Sequence, residues 1–180
     1  MSRNYLTDPI NISNRLSRDF YIRDVLEVAP DLIGKELIVR HGAGRPARHL
    51  ITEVEAYMGP EDMACHASKG RTKRTEIMYH QGGGVYVYFV YGMYWMLNIV
   101  TGKEDEPQAA LIRGIEGING PGKLTRALKI DGTFYGEDVA ISKRIWIEES
   151  GRTFRYKTGS RIGIGYAGKP WTVKPWRFYL

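Results

Sequence analysis

The 180-residue chain is predicted to be an α+β protein: a single domain with a curved, mainly antiparallel β-sheet core, surrounded by helices and carrying a protruding β-hairpin. Three observations lead there. The densest is the run Gly84–Val100, where β-branched and aromatic residues fill 85–90 and 94–100 on either side of Tyr91-Gly92-Met93. That is the pattern of two strands and a hairpin turn. Strand-like segments also outnumber helical ones along the chain, and few strand–helix–strand alternations occur, which disfavours a parallel sheet. Finally, 43% hydrophobic and 26% charged residues are globular proportions, and this length suffices for one well-buried core.

The elements follow in order. Residues 1–19 are polar and mixed in charge, and are expected to be a loosely ordered segment of one domain, 1–180, without signal or transit character. Apolar residues at 25, 26, 29, 32 and 33 form a helical stripe closed by Gly34, although Pro30 removes a hydrogen bond within it. Glu36–Arg40 and His49–Tyr57 read as strands joined by a turn around Gly42–Pro46. Residues 58–83 are polar and glycine-rich, so loops with one short helix are expected. After the hairpin, Ala109–Ile115 reads as a strand and Pro121–Ile130 as a short helix with proline near its start. Further strands are expected at 139–141, 161–166 and 176–180.

The net charge of +6 is unevenly spread. Residues 141–180 hold nine Lys or Arg against two acids, a local excess of +7, and Lys69, Arg71, Lys73 and Arg74 form a second cluster. Such patches attract polyanions, although many basic faces are only solvated surface. The single cysteine, Cys65, excludes an internal disulfide framework and fits a reducing compartment. No apolar run approaches the roughly 18 residues of a membrane helix. An intracellular location is therefore expected, in the cytoplasm or nucleoid of a prokaryote or the nucleus of a eukaryote, with no membrane partner.

Several residues could carry chemistry. In Thr52-Glu-Val-Glu-Ala-Tyr57 the period of two places Glu53 and Glu55 on one face of a strand. Exposed, the pair is plain solubility; buried, it demands a reason, because unpaired buried charge is expensive. Glu61, Asp62, Cys65, His66 and His80 lie close in sequence, but no CxxC, HExxH or zinc-deaminase pattern occurs. No metal and no other cofactor is expected. The hairpin holds four of the twelve tyrosines. Most suit strand packing, but Tyr91 falls on the turn, where core residues do not belong. A large ring displayed there suits wedging between base pairs, and strand tyrosines suit stacking on an extruded base.

Together these segments resemble the 3-methyladenine (alkyladenine) DNA glycosylase family. The matching stretches are Ile51–Asp62 with His66, Val85–Tyr94 through Asn98-Ile99, Leu111-Ile-Arg113, Gly120–Leu124, Arg161–Gly165 and Lys174–Tyr179. Departures are Val54, where the family commonly has Thr, Pro30 in the early helix, and the glycine-rich 82–84. The resemblance implies that Glu55 is catalytic with Arg113 as partner of the attacking water. It implies a base pocket of Tyr57, His66 and Tyr88, with Asn98 screening against an unwanted purine amino group, and Tyr91 intercalating. Arg71, Arg74 and Lys123 are expected against the DNA backbone. The implied activity is monofunctional: a damaged purine is flipped from double-stranded DNA and its glycosidic bond hydrolysed by a monomer, leaving an abasic site. No lysine falls in the matched stretches that carry Glu55, Tyr57, His66, Tyr88, Tyr91, Asn98 and Arg113, which argues against a Schiff-base lyase. Two rival readings stand beside it, a non-catalytic, structure-selective DNA binder and a glycosidase of free nucleosides.

Overall fold

The computed structural model describes residues 14–180. Of the segment 1–19, residues 1–13 lie outside the described residues. Leu16 is buried and its amide donates to the Ile147 carbonyl, and Arg18–Tyr21 form a one-turn helix, α1.

The expected α+β fold is present: among the described residues, a nine-stranded sheet with every strand pairing antiparallel carries few helices. Helix α2, Val25–Asp31, starts where the Asp24 side chain accepts the Leu26 amide, the usual N-cap device. Pro30 is the penultimate residue of this helix, so the hydrogen bond it removes is among the last. Strands β1 (Glu36–Val39) and β2 (Ala47–Tyr57) follow, then the hairpin β3 (Val85–Val90) and β4 (Tyr94–Thr101). Next come β5 (Gln108–Ile115), the two-residue β6 (Ile118–Asn119) and helix α3 (Pro121–Ala127). Strands β7 (Ile145–Glu148), β8 (Lys157–Gly159) and β9 (Arg177–Tyr179) complete the sheet. Its main path runs β3-β4-β5-β2-β1-β7, with β9 on β2 and β8 on β9.

Strand β2 is the structural hinge of this arrangement. Its first half pairs with β1, whereas its second half pairs with β5 on one side and β9 on the other, across register shifts near Glu53. A bulge of this kind bends a strand and increases its twist. Alternation then sorts the faces. Val54, Ala56, Val85 and Val87 enter the main core under α2 and α3, while Tyr57, Tyr86 and Tyr88 pack on the opposite face with Cys65, Ala67 and Met78. Residues 58–83, with two 3₁₀ turns at His66–Lys69 and Glu76–Tyr79, therefore cover the second face.

Two expected strands are absent. At 139–141 the Asp138 carboxylate and carbonyl capture the following amides, which makes a turn. At 161–166 the chain bends, because Gly163 adopts a φ of 78° and the Ile162 amide is spent on a distant carboxylate. Strand β7 was not anticipated; it is a short continuous buried run of the kind that periodicity cannot assign.

Candidate active site

A cleft of about 500 Å³ opens on the second face of the sheet, and Tyr57, His66, Tyr88, Tyr91, Arg113, Pro121, Ile162 and Tyr166 are among its lining. A smaller recess below shares Tyr57, Cys65, His66, Tyr88 and Tyr166 with it, and adds Tyr86 and Asn98. The expected pocket residues thus converge from β2, the 66–69 turn, β3 and β4.

Glu55 lies one side chain behind this wall, 0% exposed. Leu111, its cross-strand partner, and Arg113 and Ile162 all line the cleft around it. Its Oε2 accepts from the Tyr57 hydroxyl at 2.9 Å, and its Oε1 accepts the Ile162 amide at 2.7 Å. Arg113 Nε stands 3.4 Å from Glu55 Oε1 and 3.2 Å from Glu53 Oε1. Arg177 on β9 holds Glu53 from the other side at 3.1 Å. The two glutamates do share a face, and both have arginine partners. Burial pushes the Glu55 carboxyl above its ordinary range, against Arg113, the Ile162 amide and the Tyr57 hydroxyl, which favour the charge. Tyr57, raised by burial and then by the neighbouring Glu55 charge, stays protonated and donates.

His66 contacts the Tyr86 hydroxyl through Nδ1 at 2.8 Å, and its ring centroid lies 4.5 Å from that of Tyr88. Burial, helped by Arg74 and Lys69, lowers its pKa to about 4, so the imidazole is neutral near pH 7. Asn98 is buried, and its amide nitrogen donates to the carbonyls of Tyr86 and Met96, which fixes the side chain at the floor of the recess.

Tyr91 is 81% exposed on the turn between β3 and β4. Both central residues have positive φ, 55° for Tyr91 and 66° for Gly92, as a type I′ turn requires. Phe89 and Met93 are exposed beside it. The expected backbone contacts separate. Arg74 lines the cleft with Lys69, and Lys123 is exposed on α3, whereas Arg71 is already paired with Glu76 and Asp105. Among the described residues, no group of three His, Cys, Asp or Glu gathers as a metal site, and no helix is long and apolar enough to cross a membrane.

A model of the methylpurine-DNA glycosylase family matches residues 19–119 and 117–180. The chain belongs to this family. Curated relatives agree. A protein of Methanocella arvoryzae named "Putative 3-methyladenine DNA glycosylase" is 43% identical, with 91% of each chain aligned. Proteins of the same name from Natranaerobius thermophilus (40% identity, 92% of this chain and 95% of the relative) and Legionella pneumophila (42%, 92% and 94%) match similarly.

Within the methylpurine-DNA glycosylase frame, three contributors escaped reasoning from sequence. The Ile162 amide reaches Glu55 from 107 positions away. Tyr166 walls the cleft with its hydroxyl on the Ala64 carbonyl at 3.0 Å. Lys69, grouped before only with the basic cluster, lines the cleft. The Arg161–Gly165 motif was the available signal for the first, but a backbone donor leaves no mark on residue identity.

Proposed function

We propose that this DNA glycosylase is monofunctional, acting on alkylated or deaminated purines in double-stranded DNA as a monomer and leaving an abasic site. The observation that carries the reading is a buried carboxylate, Glu55, held by Arg113, the Tyr57 hydroxyl and the Ile162 amide directly behind an aromatic cleft.

In this reading Tyr91 enters the duplex while the damaged nucleotide turns into the cleft, where Tyr57, His66 and Tyr88 take its base. Damage weakens pairing and stacking, so extrusion costs less than for a normal base. Electron-rich tyrosine faces attract a cationic purine by roughly 0.5–2 kcal/mol per contact. Neutral His66 adds no repelling charge. As the glycosidic bond lengthens, positive charge grows on the sugar, as in other glycoside hydrolyses. Ionised Glu55 stabilises it and takes a proton from the attacking water, which Arg113 orients. The raised carboxyl pKa makes Glu55 a better base at neutral pH provided that it remains ionised. Arg74 and Lys123 serve phosphates. Asn98 bears on which purine edge fits, so lesion choice rests on the recess.

The test is release of 3-methyladenine and hypoxanthine from duplexes carrying one lesion each. Release without borohydride-trapped protein is expected; trapping through a cleft lysine such as Lys69 would refute the monofunctional mechanism. Full activity in Glu55→Gln would refute the assigned base.

A further inference from the structure

One side chain outside the cleft's lining touches the Tyr57 ring and directly precedes Ile162 in the chain, two of the three groups that hold the carboxylate. Arg161 is 4% exposed. Its Nη1 and Nη2 donate to the two oxygens of Asp62, itself fully buried. Nη1 also donates to the Ala56 carbonyl at 2.9 Å, at the residue between Glu55 and Tyr57. The guanidinium lies against two rings, 4.8 Å from the centroid of Tyr57 and 5.0 Å from that of Trp176. Trp176 closes the circuit by accepting the Ala56 amide at 2.9 Å. The next residue in the chain is Ile162, whose amide rests on Glu55.

Burying an ion pair is costly, and apolar replacements of the same volume are often no less stable, so fold stability alone is a weak account of it. A planar fork suits this site: it satisfies a carboxylate and a carbonyl while lying against two aromatic rings, which an ammonium cannot do. We propose that Arg161 is a positioning residue for the glycosylase reaction, fixing the Tyr57 ring and the Ile162 amide against Glu55 from behind the cleft. The inference rests on the assignment of Glu55 as the base. The charged and titratable groups around Glu55 are Glu53 and Tyr57 on β2, Arg113 on β5, Tyr88 on β3 and Arg177, its cross-strand partner on β9. Of the donors to its carboxylate, the Ile162 amide is the one Arg161 controls through the chain.

The experiment is the pH dependence of single-turnover 3-methyladenine release from methylated duplex DNA. It compares the wild type, Arg161→Lys, and the double variant Arg161→Met with Asp62→Asn, which removes both buried charges together. Melting curves give the folded fraction of each. Loss of the amide donor disfavours ionised Glu55, so the acid limb should move to higher pH in both variants. The plateau rate per folded molecule should fall by about tenfold to a hundredfold, the scale of roughly 1 Å misplacement. Binding to a duplex with an uncleavable abasic analogue should change by less than about threefold, since Arg161 lines neither the cleft nor the recess. Lower melting temperatures with the wild-type limb and plateau would overturn the proposal, leaving Arg161 only a tie between loops. A Glu55→Gln control separates the failures: if it retains activity, the base assignment falls before Arg161 is in question.

Discussion

Two segments border the cleft and are built in opposite ways. The β3–β4 turn pushes its large side chain outward, with Tyr91 81% exposed and Phe89 and Met93 beside it. The 161–167 segment draws its charge inward, sinking Arg161 onto Asp62 and offering a backbone amide to Glu55. The first has almost nothing to hold within the protein and suits contact with DNA. The second has almost nothing to offer DNA except Tyr166 and Ile162, and suits fixing the chemistry. In the proposed reading this difference separates binding from catalysis along the chain, so each should be breakable alone.

The largest effect should come from Glu55→Gln. Loss of a general base costs typically 10²–10⁴-fold, and base release should fall by at least that much while lesion-duplex binding persists. Stability gives an independent reading. Burial raises the folded carboxyl pKa above its unfolded value, so the contribution of this group is full below the unfolded pKa and lost as pH rises through the folded one. Near pH 8 the ionised group therefore costs stability, and Glu55→Gln should melt no lower than the wild type. A clear fall in melting temperature would mean that the charge pairs outweigh burial.

Arg161→Met alone should destabilise the fold by about 3–5 kcal/mol, because Asp62 is left buried and unpaired. Urea unfolding measures it, and adding Asp62→Asn should recover much of the loss. Tyr91→Ala should leave stability within about 0.5 kcal/mol, as exposed sites do. Binding to a lesion duplex should weaken by about 1–3 kcal/mol, the worth of one stacked ring. If Tyr91→Ala instead lowered the rate of chemistry with binding intact, the division between the segments would be wrong. The smallest effect separates two neighbouring arginines. Arg74→Ala should weaken duplex binding and lower its salt dependence by about one ion, whereas Arg71→Ala should change little, since Arg71 is engaged by Glu76 and Asp105.

The same contrast explains what could be read from sequence. The hairpin is local: β-branched and aromatic residues and a glycine at the turn determine it over seventeen positions, Gly84–Val100. The shared face of Glu53 and Glu55 is equally local. The 161–166 segment misled, since alternating Ile162 and Ile164 read as a strand. Its shape answers to Asp62, 99 positions away, and Glu55, 107 away, and no window of sequence contains those partners. Helix α1 was missed for a simpler reason: four residues are too few for a helical period to show.

The turn at Tyr91 has one further consequence, for engineering. A bulky residue at a φ of 55° sits where Gly or Asn is at ease and other side chains are strained. Tyr91→Gly or Tyr91→Asn should therefore fold more readily, and a selection for heat resistance alone would tend to find such changes. Stabilised libraries of this protein should accordingly be screened on damaged DNA, because the easiest gain in robustness lies at the residue proposed to enter the duplex.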